Sequence, residues 1–369
     1  MSKLKYFLKN NIVMLIAAAA MVVTVFFVPP DAGYLGYFDF KTLACLFMTL
    51  GVVCALRNIK FFSIIARKTV KAAGNLRFLA LLLVVMTFIG SMIIANDMAL
   101  ITFLPIGYYA LSVAGKEKHS AYIFILQNIS ANLGGMLTPF GNPQNLYLYS
   151  KFGIPTGEFT LIMLPPFLLA IALLAVCCFI LKPEKIEITG EYPEKLNAKR
   201  TALYLALFAL SVLCIFRVID WRICIVAVTA ALVFADRSAL RSVDYPLLLT
   251  FVFFFVFTGN LARIPAVQEL MSSMLSRGVL LPALGSCQLI SNVPTAILLS
   301  RFTDNYRELL LGVNIGGTGT LIASLASLIT FSEFRILYPG QTKKYLGLFF
   351  AVNFIFLAVL GAFAFLITR

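Results

Sequence analysis

The stretch Asn128-Ile-Ser-Ala-Asn-Leu-Gly-Gly-Met-Leu-Thr-Pro-Phe-Gly-Asn-Pro-Gln-Asn145 decides the fold. Within a strongly apolar chain it holds four asparagines, three glycines and two prolines. Gly and Pro interrupt helices, and each Asn side chain carries both a donor and an acceptor. Hydrocarbon tolerates unwound backbone only where protein or a water-filled cavity surrounds it. A second stretch, Val313-Asn-Ile-Gly-Gly-Thr-Gly-Thr320, repeats its core: Asn132-Leu-Gly-Gly135 against Asn314-Ile-Gly-Gly317. Interrupted segments in corresponding positions of two halves point to a binding site near mid-membrane.

Composition agrees. Of 369 residues, 61% are hydrophobic and 12% charged, against about 25% charged in soluble domains. This predicts an all-α polytopic membrane protein. The net charge of +14 is read as basic residues gathered in cytoplasmic loops, so no nucleic-acid partner is expected. The seven cysteines form no C-x-x-C pair and read as small buried hydrophobes, not disulfides or metal ligands. His119, the only histidine, sits in a charged loop beside Lys116, Glu117 and Lys118. A histidine metal site and a Ser-His-Asp triad are thereby excluded. No catalytic residue and no organic cofactor is nominated, and the chain is not expected to be an enzyme.

Outward from the central stretch, the chain divides into a first repeat (1–181), a cytoplasmic linker (182–200) and a second repeat (201–369). Lys3, Lys5 and Lys9 precede an apolar run to Val28. It is read as a retained first helix with its N-terminus in the cytoplasm, since no small-residue cleavage site precedes Pro29-Pro30. A span at 40–56 is followed by a basic amphipathic segment from Arg57 to Arg77, expected to lie on the cytoplasmic face. Residues 78–115 carry one charge, Asp97. They fit two spans or a re-entrant hairpin tipped at Ala95-Asn96-Asp97; a buried Asn-Asp turn favours the hairpin. A broken helix (120–150) and a span (159–181) complete the half.

The second half has spans at 203–216, 223–234 and 246–261, an amphipathic piece (263–277), the charge-free stretch 278–300, a broken helix (309–337) and a last span (346–367). Length alone makes 278–300 one crossing. The shared order of amphipathic piece, Asn-bearing break and Asn-x-Gly-Gly instead predicts a hairpin tipped at Ser291-Asn292-Val293-Pro294, and hence inverted repeats. The count is about nine transmembrane helices, two re-entrant hairpins and two broken helices.

Two tips and two broken helices are expected to converge. Half-helix N-termini suit anions, whereas half-helix C-termini and unwound carbonyls suit Na⁺. The candidate solute- and ion-binding residues are Asn96, Asp97, Asn132, Thr138, Gly141, Asn142, Pro143, Asn145, Ser291, Asn292, Asn314, Gly317, Thr318 and Thr320. Na⁺ is placed near Asn96, Asn142, Ser291 and Asn292, whose oxygens suit a hard cation. Asp97, a carboxylate deep in an apolar stretch, is functional by default and also fits a helix cap. The paired glycines also fit close helix packing. Arg301, Asp304, Glu333 and Arg335 read as solvated borders.

At these residues the chain resembles the ion transporter superfamily, which includes arsenite permeases, citrate-transporter-like proteins, related sodium/proton antiporters and divalent anion:sodium symporters. The resemblance rests on Ala95-Asn96-Asp97-Met98-Ala99 with Pro105, on Gly134 to Asn145, and on Ser291 to Pro294 with Gly316 to Thr320. It implies a scaffold that forms a homodimer, a mobile part holding the hairpins and broken helices, and elevator-type alternating access. Divalent-anion symporters carry Ser-Asn-Thr at both tips; Asn96-Asp97 is more similar to the arsenite-permease branch. The expected function is ion-coupled (Na⁺ or H⁺) secondary transport of a small anion or oxyanion-like solute, citrate- or arsenite-like, in the cell membrane. Cation/proton antiport through Asp97 and uncoupled, channel-like permeation are the competing expectations.

Overall fold

A computed structural model describes residues 11–187 and 196–369; Lys3, Lys5, Lys9 and the middle of the 182–200 linker lie outside the described residues. The first half comprises α1 (Ile12–Phe27), α2 (Phe40–Asn58), α3 (Phe61–Val70), α4 (Leu76–Ile94), α5 (Asn96–Val113), α6 (Ser120–Gly134), α7 (Pro143–Lys151) and α8 (Thr156–Phe179). The second comprises α9 (Ala198–Ile215), α10 (Trp221–Ala235), α11 (Arg237–Arg241), α12 (Tyr245–Leu261), α13 (Pro265–Leu275), α14 (Leu280–Ile290), α15 (Asn292–Leu299), α16 (Tyr306–Ile315), α17 (Leu325–Leu337) and α18 (Thr342–Thr368). Beyond one isolated bridge, Asn75 to Lys185, the described residues contain no β-structure. The chain is an all-α polytopic membrane protein.

Short polar residues fix where helices begin. Asp39, Asn75, Asp244 and Asn305 each stand just before an apolar run and accept a backbone N–H from its first turn, at 2.9, 2.9, 3.0 and 3.2 Å. Such caps satisfy donors that helix geometry leaves orphaned. Among the described residues, five helices are long and apolar enough to cross a membrane alone, α2, α4, α8, α9 and the one ending at Thr368, or six if α12 and α13, bent by 97°, form one span. The expected count of about nine instead leaves α4 out and adds α1, α10, α12 and the two broken segments.

The helices pack as two bodies. In one, α1 lies against α12, and α2 against α9 and α10; in the other, α4 to α8 interleave with α14 to α18. The seam runs where α7 meets α2, α15 meets α12 and α5 meets α3. The described part of the linker is pinned rather than loose: Leu76 N–H donates to the Glu184 carbonyl at 2.9 Å, and the Lys116 ammonium pairs with the Glu184 carboxylate.

The chain doubles back twice. Between α4 and α5 it turns on Ala95 (φ 64°, ψ 154°) and sets Gly90 against the ring of Phe103, an approach that a straight helix forbids. Between α14 and α15 it turns on Ser291 (φ 74°, ψ 160°). These helices have 11 and 8 residues, so neither reaches across about 30 Å of hydrocarbon at 1.5 Å per residue.

Candidate functional site

The two tips share one local design. Each turns on a non-glycine residue held at positive φ, and each next residue is the asparagine that opens a helix. Asn96 Oδ1 accepts the Asp97 N–H at 3.0 Å, and Asn292 Oδ1 accepts the Val293 N–H at 2.9 Å. The carbonyls of Ala95 and Ser291 accept the N–H groups of Ala99 and Thr295 at 3.0 and 3.1 Å. Each asparagine thus spends its carbonyl oxygen on its own helix and points its amide nitrogen elsewhere.

The broken segments hold those tips in the same way. α6 ends at Gly134, where a Cβ would lie 2.1 Å from the Phe88 carbonyl oxygen and 2.5 Å from Ser91 Oγ. At Gly316, just past α16, it would lie 2.8 Å from Cys287 Sγ. Ser91 and Cys287 occupy the same position relative to their tips. Next, Thr138 Oγ1 donates to the Met92 carbonyl at 2.8 Å, and Thr320 Oγ1 to the Gln288 carbonyl at 3.0 Å. Met92 and Gln288 are again equivalent. Each threonine locks an unwound segment onto the turn before the tip of its own half.

At the centre the halves cross over. Asn132 Nδ2 donates to Ser324 Oγ at 3.0 Å; Asn142 Nδ2 donates to Asn314 Oδ1 at 3.3 Å. Ser324 precedes α17 as Asn142 precedes α7, so each broken-helix asparagine bonds the residue that opens the other half's outgoing helix. Asn142 Nδ2 also reaches the Asn132 carbonyl at 3.2 Å, and Asn314 Nδ2 donates to Asn145 Oδ1 at 2.6 Å. Asn96 Nδ2 joins at Asn132 Oδ1, 3.2 Å away, while Asn132 Nδ2 reaches the Gly317 carbonyl at 3.3 Å. Asn292 Nδ2 stands 3.1 Å from where a Cβ on Gly317 would sit, so a side chain there would make that amide give by a few tenths of an ångström. Asn96, Asn132, Asn142, Asn145, Asn292 and Asn314 are all buried. Burying this many amides is favourable only because nearly every one is bonded.

The exceptions are informative. Asn142 Oδ1 and Asp97 Oδ1 are buried and have no hydrogen-bond partner. A buried acceptor left unmatched costs about 1–3 kcal/mol, more when charged. A cation, a proton or a solute hydroxyl removes that cost. Four helices, α5, α7, α15 and α17, begin around the same cluster, and their N-termini present positive dipole ends. Groups for both signs of charge therefore lie within one polar centre.

Sequence reasoning placed most of these residues together, and some it placed differently. Thr138 and Thr320 spend their hydroxyl protons positioning the tips. Thr318 Oγ1 donates to Ile315 O at 2.7 Å, within its own turn. Gly141 packs on Gly135 O, Pro143 is the first residue of α7, and Ser291 Oγ lies 3.4 Å from the Ala323 carbonyl. Ser324 and Ser327 were missed; Ser327 Oγ accepts from Asn128 Nδ2 at 3.3 Å. The signal was present, since Ser324 stands to Asn314 as Asn142 stands to Asn132. Arg301 is no solvated border: it is half-buried and donates through Nη2 to the Tyr37 carbonyl at 2.7 Å.

Comparisons with known proteins show the family. A family model described as "Citrate transporter" matches residues 2–306. An uncharacterized transporter of Methanocaldococcus jannaschii is 34% identical over 300 residues, covering 79% of this chain and 80% of that protein. The inner membrane protein YbiR of Escherichia coli K12 is 31% identical over 315 residues, covering 82% of each. A silicon efflux transporter of Oryza sativa subsp. japonica is 28% identical over 176 residues, covering 45% of this chain and 36% of that protein. The chain belongs to the citrate transporter family of the ion transporter superfamily, and it is a multi-pass membrane transporter, not an enzyme.

Proposed function

We propose that the protein is an ion-coupled secondary transporter, driven by Na⁺ or H⁺, for a small anion or oxyanion-like solute. The observation that carries this reading is the crossed pairing of Asn132 with Ser324 and Asn314 with Asn142, beside an unmatched Asn142 Oδ1. Matching bonds in both halves support inverted repeats, the architecture of alternating access. In this reading Na⁺ sits near Asn142, Asn96, Ser291 and Asn292, taking the unmatched Asn142 Oδ1 and the second lone pairs of the two tip asparagine oxygens, and the helix N-termini with amide nitrogens hold the solute. The body of α1, α2, α9, α10 and α12 is the scaffold, paired with a second copy, and the hairpin-bearing body slides against it. The family description names citrate and the rice relative is named for silicon. Both direct the solute screen toward oxygen-rich compounds.

A second reading, cation/proton antiport, is favoured by the unmatched Asp97 Oδ1 at tip one. In the symport reading Asp97 tunes coupling; in the antiport reading it is the exchange site. Proteoliposomes with Asp97→Asn separate the two. Solute uptake that continues with altered Na⁺ or pH dependence supports symport. Absence of solute uptake from wild-type protein, with dye-reported cation/proton exchange that Asp97→Asn abolishes, supports antiport. Solute uptake whose ion dependence the variant leaves unchanged removes Asp97 from coupling.

A further inference from the structure

A second polar site lies away from the asparagine centre. A cavity of about 380 Å³ opens on the face that carries the Pro29–Phe40 loop, at the seam between the two bodies. That volume falls in the range of small-molecule pockets. Its lining brings Lys41 from the start of α2, Lys151 from the end of α7 and Arg301 from just after α15 around Tyr147, Tyr37 and Asp39. The three cations come from separate elements, and all are half-buried. Like charges repel when brought together out of water, so such a cluster is costly unless something balances it.

The two acids that act on Lys151 do not: Asp304 is exposed to solvent, and Asp39 offsets one charge of three. Asp39 spends both carboxylate oxygens on capping α2, accepting Thr42 N–H at 2.9 Å and Thr42 Oγ1 at 2.6 Å. Arg301 is held in place rather than neutralised: Nη2 bonds the Tyr37 carbonyl and the guanidinium lies 5.8 Å from the Tyr37 ring, while Nε is buried without a partner. Tyr147, whose hydroxyl bonds Ser300 Oγ at 2.9 Å, supplies a rigid wall. The site is therefore preorganised, net positive and short of acceptors.

We infer that this cavity binds a small free oxyanion at the seam of the two bodies. The inference rests on the transporter reading and extends it: the cavity captures the anion at the mouth before it reaches the asparagine centre. Because α7 and α15 belong to one body and α2 to the other, an anion shared by Lys41 and the Lys151–Arg301 pair also bridges the seam.

Isothermal titration of inorganic phosphate into the intact protein, purified in a phosphate-free maltoside detergent, tests it. Wild-type protein is expected to bind phosphate, and the double variant Lys41→Gln, Lys151→Gln at least tenfold more weakly, with a melting temperature in the absence of phosphate no lower than that of wild type. Lys151 rests only over the neighbouring Phe152 ring, 5.8 Å from its centroid, and the melting temperature of the double variant reports whether the fold is kept. Arg301→Lys, which keeps the charge but loses the fork, is expected to weaken binding less. Phosphate affinity equal in wild type and double variant overturns the inference. So does a double variant that instead loses only dioleoylphosphatidylglycerol binding, which would make this a lipid headgroup site. Asn142→Ala separates this test from that of transport. Phosphate binding at the cavity survives in that variant; if it disappears there and persists in the double variant, the anion sits at the centre and the cavity claim fails while the transporter reading stands.

Discussion

Asn132 and Asn314 belong to different halves of the chain, yet one side chain joins them. Asn142 Nδ2 lies 3.2 Å from the Asn132 carbonyl oxygen and 3.3 Å from Asn314 Oδ1. Removing that amide leaves two buried acceptors short of a donor, at about 1–3 kcal/mol in stability. Asn142→Ala should therefore lower the melting temperature modestly and cut transport more than tenfold. Asn142→Ser copies the residue found at the equivalent position, Ser324, and should recover part of the stability. Melts followed by size-exclusion fluorescence, with uptake measured in parallel, check both.

The tip turns make a stability prediction of opposite sign. Ala95 sits at φ 64°, ψ 154°, a region that side chains rarely occupy, at about 1–3 kcal/mol. Ala95→Gly should stabilise the protein by about 1 kcal/mol, partly offset by the freer unfolded chain. A melting temperature below wild type would show that the turn is not strained.

Gly134 and Gly157 should respond very differently to alanine. At Gly134 the new methyl would lie 2.1 Å from the Phe88 carbonyl oxygen, whereas at Gly157 nothing stands within 4 Å. Overpacking against backbone costs about 1–3 kcal/mol or more. Gly134→Ala should reduce folded yield sharply, and Gly157→Ala should leave it unchanged, as read by detergent-extracted monodisperse protein.

Acid should loosen the contact by which Arg263, beyond the end of α12, holds Asp31 and the Tyr37 hydroxyl. Asp31 pairs with Arg263 at 2.7 Å, and the Arg263 guanidinium holds its carboxyl below the ordinary value of 3.8. A lowered native pKa stabilises above the unfolded value and is lost as pH falls through the native one. The melting-temperature gap between wild type and Asp31→Asn should be small, constant above about pH 4, and closed at lower pH. A gap that instead grows with acidification contradicts the pair's role.

Much of this was legible in the sequence. Asn, Gly and Pro inside apolar runs are locally anomalous, so Asn132, Gly134, Asn142 and Asn314 announce themselves. Caps such as Asp39 and Asn75 are equally local. Serine is less conspicuous: Ser324 gains meaning only when the halves are superposed, because the half-helix it opens is paired with Asn132 from far along the chain. Arg301 is harder still. Its sequence neighbours suggest a wet border, and only the packing of the Pro29–Phe40 loop puts the Tyr37 carbonyl beneath it. Thr318 shows the opposite case: its hydroxyl proton closes its own turn, while the oxygen keeps its acceptor lone pairs.

The central claim is that both halves build one coupled transport site around Asn142. Its most direct test is uptake into proteoliposomes of citrate, arsenite and silicic acid, with imposed Na⁺ or proton gradients, by wild type and by folded Asn142→Ala. The account predicts gradient-dependent uptake of at least one solute by wild type, lost in the variant. Uptake that persists after both gradients are collapsed to zero and is equal in the two proteins would contradict it.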